Sequence, residues 1–464
     1  MHRYIRLALS AVVPAALLAG CSDWLTASKA INNPNAPTTA SRDALLVGVE
    51  SGTTILQSGD LARLFTTWTQ QMAGTDRQAV GLGLYIFDED LAAGDWSQVY
   101  TGGGLVDMRT IRQQALADGD SIYAGVAMVL EALDVGTAAD IWGDIPYSQA
   151  VDHAKYPTPQ LDPQQQVFAE VQAVLDTAID YLKCDPGTVS TCSGPVTGAD
   201  LIYGGDPSLW LELAHTLKAR FYLHTSPRDP SAYALALAQA DSGISDPSHD
   251  YRTYQSGNDF PNEANLWYQF MALNRTGYIS AGDFLVSLLS GPPADPRLGQ
   301  YFDKNGSGTY LGAPPGGGSG DYSTLSSTRM NPAFRQPVVT YAENQLIKAE
   351  AELQMGQPVA ALADYNLERA SQGVPPKVGG LTLNEIITEK YIADFQEIEA
   401  WNDYKRTCLP ALTPAAPPLA APGGIPGRLL YPVSTERSSN SNIPAPQDQP
   451  SRNWDQPIAC PGEN

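Results

Sequence analysis

Flat aromatic rings beside planar polar side chains are the combination that recognises sugars, because a ring covers the CH face of a pyranose while guanidinium, amide and carboxylate groups bind its hydroxyls. Two irregular stretches of this chain offer both. Residues 75–96 carry Asp76, Arg77, Tyr85, Phe87 and Trp96, and a second stretch carries Asn265, Trp267 and Tyr268. Phe302, Tyr310 and Tyr322 decorate a third, rich in Gly and Pro. Each of these rings also has an ordinary role open to it as packing, and Trp96, four residues before Tyr100, competes as a helix-start residue.

Catalytic arrangements are weak by comparison. Asp88, Glu89 and Asp90 could be imagined as a glycosidase carboxylate pair, but three adjacent acids on a loop are more often solvated or hold calcium loosely. A structural calcium ion is not indicated, and no cofactor is expected. His153, His215, His224 and His249 are scattered, with no HExxH or His-x-x-Glu spacing and no neighbouring cysteine. The chain has no Gly-x-Ser-x-Gly elbow, and Gly316 to Gly320 reads as flexible linker because no Lys-Ser/Thr follows it. A binding protein, not an enzyme, is the expectation.

The elements that must position such residues are helical. Val167, Val171, Val174, Ile179 and Leu182 recur at three- to five-residue steps, as do Ile387, Tyr391, Phe395 and Ile398 behind a Thr382-x-x-Glu385 capping box. Helices pair along the chain: Ile122–Val135 with Gln164–Leu182, Trp210–Leu217 with Tyr233–Ile244, Leu346–Met355 with the segment of Ala361 and Tyr365, and Leu383–Tyr404 with weaker partners. The second pair fits the Trp-x-x-Leu-small opening of a tetratricopeptide repeat. The expected fold class is all-α, about four tetratricopeptide-like helix pairs in a superhelix. Long insertions interrupt it at about 75–96, 246–278, 290–337 and 410–464. Loops of that length in a compact body are usually functional or disordered. Trp142, Trp210 and Trp401 are expected in the core.

Before the helices stands a leader. Arg3 and Arg6 precede an apolar run from Leu7 to Leu18, and Leu18-Ala19-Gly20-Cys21 closes it. The run is shorter than the roughly 20 residues a membrane span needs, and Pro14 interrupts it, so it reads as a lipoprotein signal peptide at 1–20. Cys21 is then the acylated residue, anchored in membrane lipid, and 21–40 an extended Asn/Pro-rich tether. The body is expected as one domain over 41–464, with no further segment of transmembrane length. The net charge of the whole chain, −22, argues against nucleic acid as a partner, since that requires a basic footprint. Cys184, Cys192, Cys408 and Cys460 remain, and four cysteines in an exported chain allow three pairings. The local pair Cys184 with Cys192 is the simplest, leaving Cys408 with Cys460 to tie the Pro-rich tail to the body.

One phrase carries more. Residues 139–150 read ADIWGDIPYSQA, which closely resembles the Thr-Asp-x-x-Gly-Asp-Ile-Pro-Tyr-Ser-Glu-Ala phrase of the SusD/RagB family of nutrient-binding outer-membrane lipoproteins. Asn33-Pro34-Asn35, residues 210–220 (WLELAHTLKAR), Asp295-Pro296-Arg297-Leu298, residues 341–351 (YAENQLIKAEA), the stretch from Glu399 to Thr407 and Arg428 to Pro432 are similar to family segments in family order. Ala139 and Gln149 depart mildly from it. The resemblance implies a right-handed tetratricopeptide-like bundle with a loop-rich second layer. It further implies a surface-exposed protein that lids a SusC-like TonB-dependent transporter, captures an oligosaccharide or peptide and hands it inward. A lid with no tight ligand of its own is the alternative, and a surface hydrolase the least favoured. Family members share no single ligand set, so the motifs do not locate the site.

Overall fold

Capping sets the helix starts, and the segment read from sequence as Leu383–Tyr404 is two helices, Leu383–Ala393 and Glu399–Thr407. Thr382 accepts the Glu385 amide while the Glu385 side chain accepts the Thr382 amide, the reciprocal box that opens Leu383–Ala393. Thr340 in the same way accepts the amide of Glu343 at the start of Tyr341–Gln354. A computed structural model describes residues 40–184, 193–195, 198–258, 263–415 and 424–462. Cys21 and Cys192, and with them the leader, most of the tether and one end of the proposed local disulfide, lie outside the described residues. The chain divides into a leading unit, residues 1–44, and a body, residues 45–464; the body is described below.

The body's helices are α1 (Arg42–Ser58, which begins in the leading unit), α2 (Asp60–Trp68), α3 (Arg77–Gly83), α4 (Ala93–Tyr100), α5 (Leu105–Ala117), α6 (Ser121–Trp142), α7 (Gln164–Lys183), α8 (Pro207–Thr225) and α9 (Ala232–Ala240). They continue as α10 (Asp283–Leu289), α11 (Arg297–Tyr301), α12 (Tyr341–Gln354), α13 (Pro358–Ser371), α14 (Leu383–Ala393) and α15 (Glu399–Thr407). The expected all-α architecture is the observed one. Helix α6 packs on α7, α8 on α9 and α12 on α13, while α14 meets α12 and α15; α7 against α8 and α9 against α12 join the pairs into one succession.

Helix α6 is its axis, with every residue buried. By length and composition it could cross a membrane, contrary to the expectation that no segment beyond the leader would reach that length. Its apolar character serves the core instead, because neighbours cover it on all sides. Gly136 is required there: a Cβ would lie 2.1 Å from the Phe221 ring of α8. Trp142, Trp210 and Trp401 are all fully buried, as expected.

The motif segments also supply a buried ionic lattice. Arg220 of α8 donates two hydrogen bonds to Glu343 of α12, each 2.6 Å. Arg406 of α15 pairs with Glu350 of α12 and with Asp403, which also takes Lys390 of α14 at 2.8 Å. His224 sits between Asp140 at 2.9 Å and Glu399 at 2.6 Å. Buried charges are tolerated only when paired in this way, so these motif residues frame the repeats.

The four insertions carry more regular structure than the sequence shows. Strand β1 (Met72–Gly74) pairs antiparallel with β3 (Ile279–Ala281), β2 (Tyr251–Arg252) with β6 (Pro337–Val339), and β4 (Phe302–Asp303) with β5 (Thr324–Leu325). Each pair joins segments distant in sequence, which no local periodicity can reveal. Insertion 75–96 itself holds α3 and the start of α4. The tail is tied down by the expected Cys408–Cys460 disulfide; Cys184 is likewise disulfide-bonded.

Candidate functional site

Thr75 is where three insertions meet. Its amide donates to the carbonyl of Tyr278 at 2.8 Å and its hydroxyl to the carbonyl of Gly277 at 2.9 Å, while its own carbonyl accepts from Ser319 at 3.1 Å. The next residue, Asp76, caps α3 by accepting the Arg77 amide. Arg77 holds φ at +47°, a left-handed conformation that non-glycine residues adopt at a cost and that clusters at functional positions.

That backbone puts the Arg77 guanidinium over the Tyr278 ring at 5.6 Å, and Arg275 approaches the same ring at 5.7 Å. Phe270 stands edge-on to Tyr278 at 6.4 Å and lies under Arg63 of α2 at 4.6 Å. Phe270 is delivered by a π-helical turn, Gln269–Asn274, a local geometry that recurs at functional sites. Phe270 and Arg63 also line a cleft of about 210 Å³, with Leu61, Leu82 and Ile279 as apolar walls and Gln78 and Asp95 as further polar groups, so that Gln78 and Ile279 in the cleft directly follow Arg77 and Tyr278 in the chain. Burial, then the nearby charge of Asp60, raises the Asp95 carboxyl to about 7 against the pull of Arg63. Near neutrality it therefore both donates and accepts protons in hydrogen bonds. Arginine and aromatic faces around a half-apolar cleft suit a polyhydroxylated ring.

Of the residues expected from sequence, Asp76 and Arg77 stand on this rim, their side chains 44% and 71% exposed. The others are placed differently. Tyr85 is buried edge-on to Trp68, and Phe87 is half-buried against the same ring at 5.3 Å. Trp96 is buried among Tyr100, Trp142 and Tyr431 and donates its indole N–H to Glu436 at 3.3 Å. Asn265 is a cap, accepting the amides of Trp267 and Tyr268. Trp267 is fully buried and Tyr268 half-buried. The faces of Tyr85, Trp96 and Trp267 are thus covered, because packing against other elements took the largest apolar rings first. Phe302 is core, and Tyr310 and Tyr322 are half-buried.

Arg63, Gln78, Asp95 and Phe270 line the candidate cleft and Arg275 and Tyr278 stand beside Phe270, and none of these was singled out from sequence. Arg275 three residues before Tyr278 was the available signal. The acidic triplet serves the fold instead, because Asp90 accepts the amides of Val433 and Ser434 and Glu89 pairs with Arg437 at 2.7 Å, clamping the tail to the insertion. Among the described residues no group of His, Cys, Asp and Glu could hold a metal ion.

A family model described as SusD-like, starch-binding and associating with the outer membrane, matches residues 34–432. Among solved structures, a chitin-binding protein superposes with a TM-score of 0.75 at 21% identity, over 89% of this chain and 100% of its own. A chitin-binding SusD homologue from Flavobacterium johnsoniae gives a TM-score of 0.74 at 20% identity, over 90% of this chain and 99% of its own. A SusD/RagB family protein from Bacteroides thetaiotaomicron gives 0.73 at 20% identity with the same coverage. These likenesses show the fold. No curated protein sequence matches the chain.

Proposed function

The chain belongs to the SusD-like family, and from that membership we propose that it is a surface lipoprotein that captures an oligosaccharide in the cleft beside Arg77 and Tyr278 and delivers it to a SusC-like TonB-dependent transporter. The observation that carries the ligand class is the convergence of three insertions on one arginine–aromatic rim. The starch-binding character of the family supports a glycan, and two structural neighbours that bind chitin favour the same class. Acylation at Cys21, the tether and surface exposure belong to this proposal, as does capture without catalysis.

Isothermal titration of the purified protein against starch- and chitin-derived oligosaccharides, with a peptide panel alongside, tests it. Arg77→Ala and Phe270→Ala are each expected to weaken glycan binding by roughly tenfold, the loss of one charge-assisted hydrogen bond or one ring face. Binding of peptides alone reassigns the ligand, and glycan binding indifferent to both variants moves the site elsewhere. Copurification of a TonB-dependent transporter with the tagged, membrane-anchored chain tests delivery.

A further inference from the structure

A second cavity lies on another part of the body and is electrostatically unlike the rest of this acidic chain. It measures about 510 Å³ and is lined by Arg228, Arg428 and Arg452, with the ring of Trp454 and the first residues of α7. The three arginines come from separate segments. Arg228 follows α8 and donates from Nε to the Trp454 carbonyl at 2.7 Å. The segment of Arg428 is bridged to Arg452 through Gly427. Both tail arginines lie within the loop closed by Cys408–Cys460.

None of these guanidiniums is ion-paired among the described residues, whereas Arg220, Arg297 and Arg406 each meet carboxylates at short range. Arg428 is 4% exposed, stacks on the Tyr431 ring at 4.9 Å, and leaves Nη2 without a hydrogen-bond partner. A buried charged donor without a partner is costly, so such a group calls for an acceptor. The lining also includes the N-terminus of α7, a 20-residue helix whose dipole favours negative charge. Among the described residues Asp144 is the one carboxylate lining the cavity, and one of its oxygens is spent on the Gln164 amide. Gly143, at φ +80°, sits where a Cβ would come within 2.4 Å of Asn453 and 3.8 Å of Arg428, and so keeps this wall closely packed.

We propose that this cavity binds a phosphate monoester. Three guanidiniums and a helix N-terminus offer more donors, and more positive charge, than one planar carboxylate can use, whereas a phosphate dianion presents three terminal oxygens to them. The volume accommodates more than the phosphate group itself, so the ester carbon skeleton lies against Trp454 and the neighbouring prolines, Pro450 and Pro457. The site is separate from the oligosaccharide cleft and does not depend on that assignment.

Isothermal titration of the full-length protein in detergent with inorganic phosphate, glycerol 3-phosphate, glycerol and glycerate tests the proposal. Glycerol 3-phosphate is expected to bind, glycerol not at all, and glycerate at least tenfold more weakly. Arg228→Gln and Arg452→Gln, in the accessible part of the cavity, are each expected to weaken glycerol 3-phosphate binding about tenfold or more with an unchanged melting temperature. Short-chain phosphatidic acid carries the same group on a lipid: tighter binding of it than of glycerol 3-phosphate assigns a headgroup as the source, and the reverse a soluble ester. Absence of phosphate binding, equal binding of glycerate, or full affinity in the Arg228→Gln/Arg452→Gln double variant overturns the proposal.

Discussion

His224, Glu50 and Asp134 are three buried groups that hold protons the unfolded chain gives up. Burial pushes the His224 imidazole down, but Asp140 and Glu399 on either side overcome it and raise it from 6.5 to about 10. Glu50 rises from 4.5 to about 9 through burial and then the charge of Asp200, and Asp134 from 3.8 to about 7 through burial, against hydrogen bonds from Thr53 and Gln57. The sign is the same for all three. A folded-state value above the unfolded one means the native state binds more protons in the interval between them, so stability falls as pH rises through it. For the carboxyls the loss begins above about pH 4 and is complete near their folded values; for His224 it runs from about 6.5 to 10. The melting temperature is therefore expected to fall steadily between about pH 5 and pH 9, and Glu50→Gln to flatten that slope. A melting temperature that rises across the window refutes the assignment. His224→Gln removes the cation that bridges Asp140 and Glu399 and leaves each only a more distant one, Lys405 at 3.6 Å and Arg220 at 3.7 Å; it is expected to cost about 3 kcal/mol by chemical denaturation at neutral pH.

At the scale of elements, the tail is the part that needs a covalent hold. Between Cys408 and Cys460, 52 positions apart, the described residues form only short turns, tied to the body by such contacts as Trp401 Nε1 to the Pro426 carbonyl and the clamp of Glu89 on Arg437. A loop of that length closed in the unfolded state is worth about 4 kcal/mol. Cys408→Ser/Cys460→Ser is expected to lose stability of that order in urea, and phosphate binding with it, while oligosaccharide binding at the Arg77 rim persists. Loss of both activities together would mean that the tail supports the whole body. This division also shows what the sequence made legible. The Thr382 box, the helical positions of Ile387 and Tyr391, and the Trp positions were readable because they depend on neighbours within a turn or two, whereas the end of α14 at Ala393, which leaves Phe395 outside it, was not. Whether Trp267 or Phe270 faces the cleft was not, because the phase of a π-helical turn and the neighbours brought in by distant segments decide it. The rim joins Arg63, Arg77 and Tyr278 through pairing of β1 with β3, about 200 residues apart in sequence. Asp76 and Arg77, read from sequence as planar polar groups on an irregular stretch, stand instead at the start of α3, where exposed polar residues are the local expectation.

Across the whole molecule, charge separates the two proposed sites. The chain carries 50 acidic against 28 basic residues, so an approaching anion meets repulsion from the surface before it meets the three arginines. The two effects have different ranges. At about 0.01 M salt the Debye length is about 30 Å, comparable with the body, and the acidic field reaches the cavity mouth; at about 0.1 M it shrinks to about 10 Å and the distant acids are screened while the contacts are not. Near 1 M it is about 3 Å, the length of a guanidinium–phosphate hydrogen bond, and the local attraction fades as well. Affinity for glycerol 3-phosphate is therefore expected to pass through a maximum near about 0.1 M salt. A neutral oligosaccharide has no net charge to couple to either field, so its affinity at the Arg77 rim is expected to change less than about twofold over the same range. Titrations of both ligands along one salt series separate the cases. Parallel responses would mean that the two ligands share a site, whereas a maximum for the phosphate ester beside a flat line for the sugar requires two.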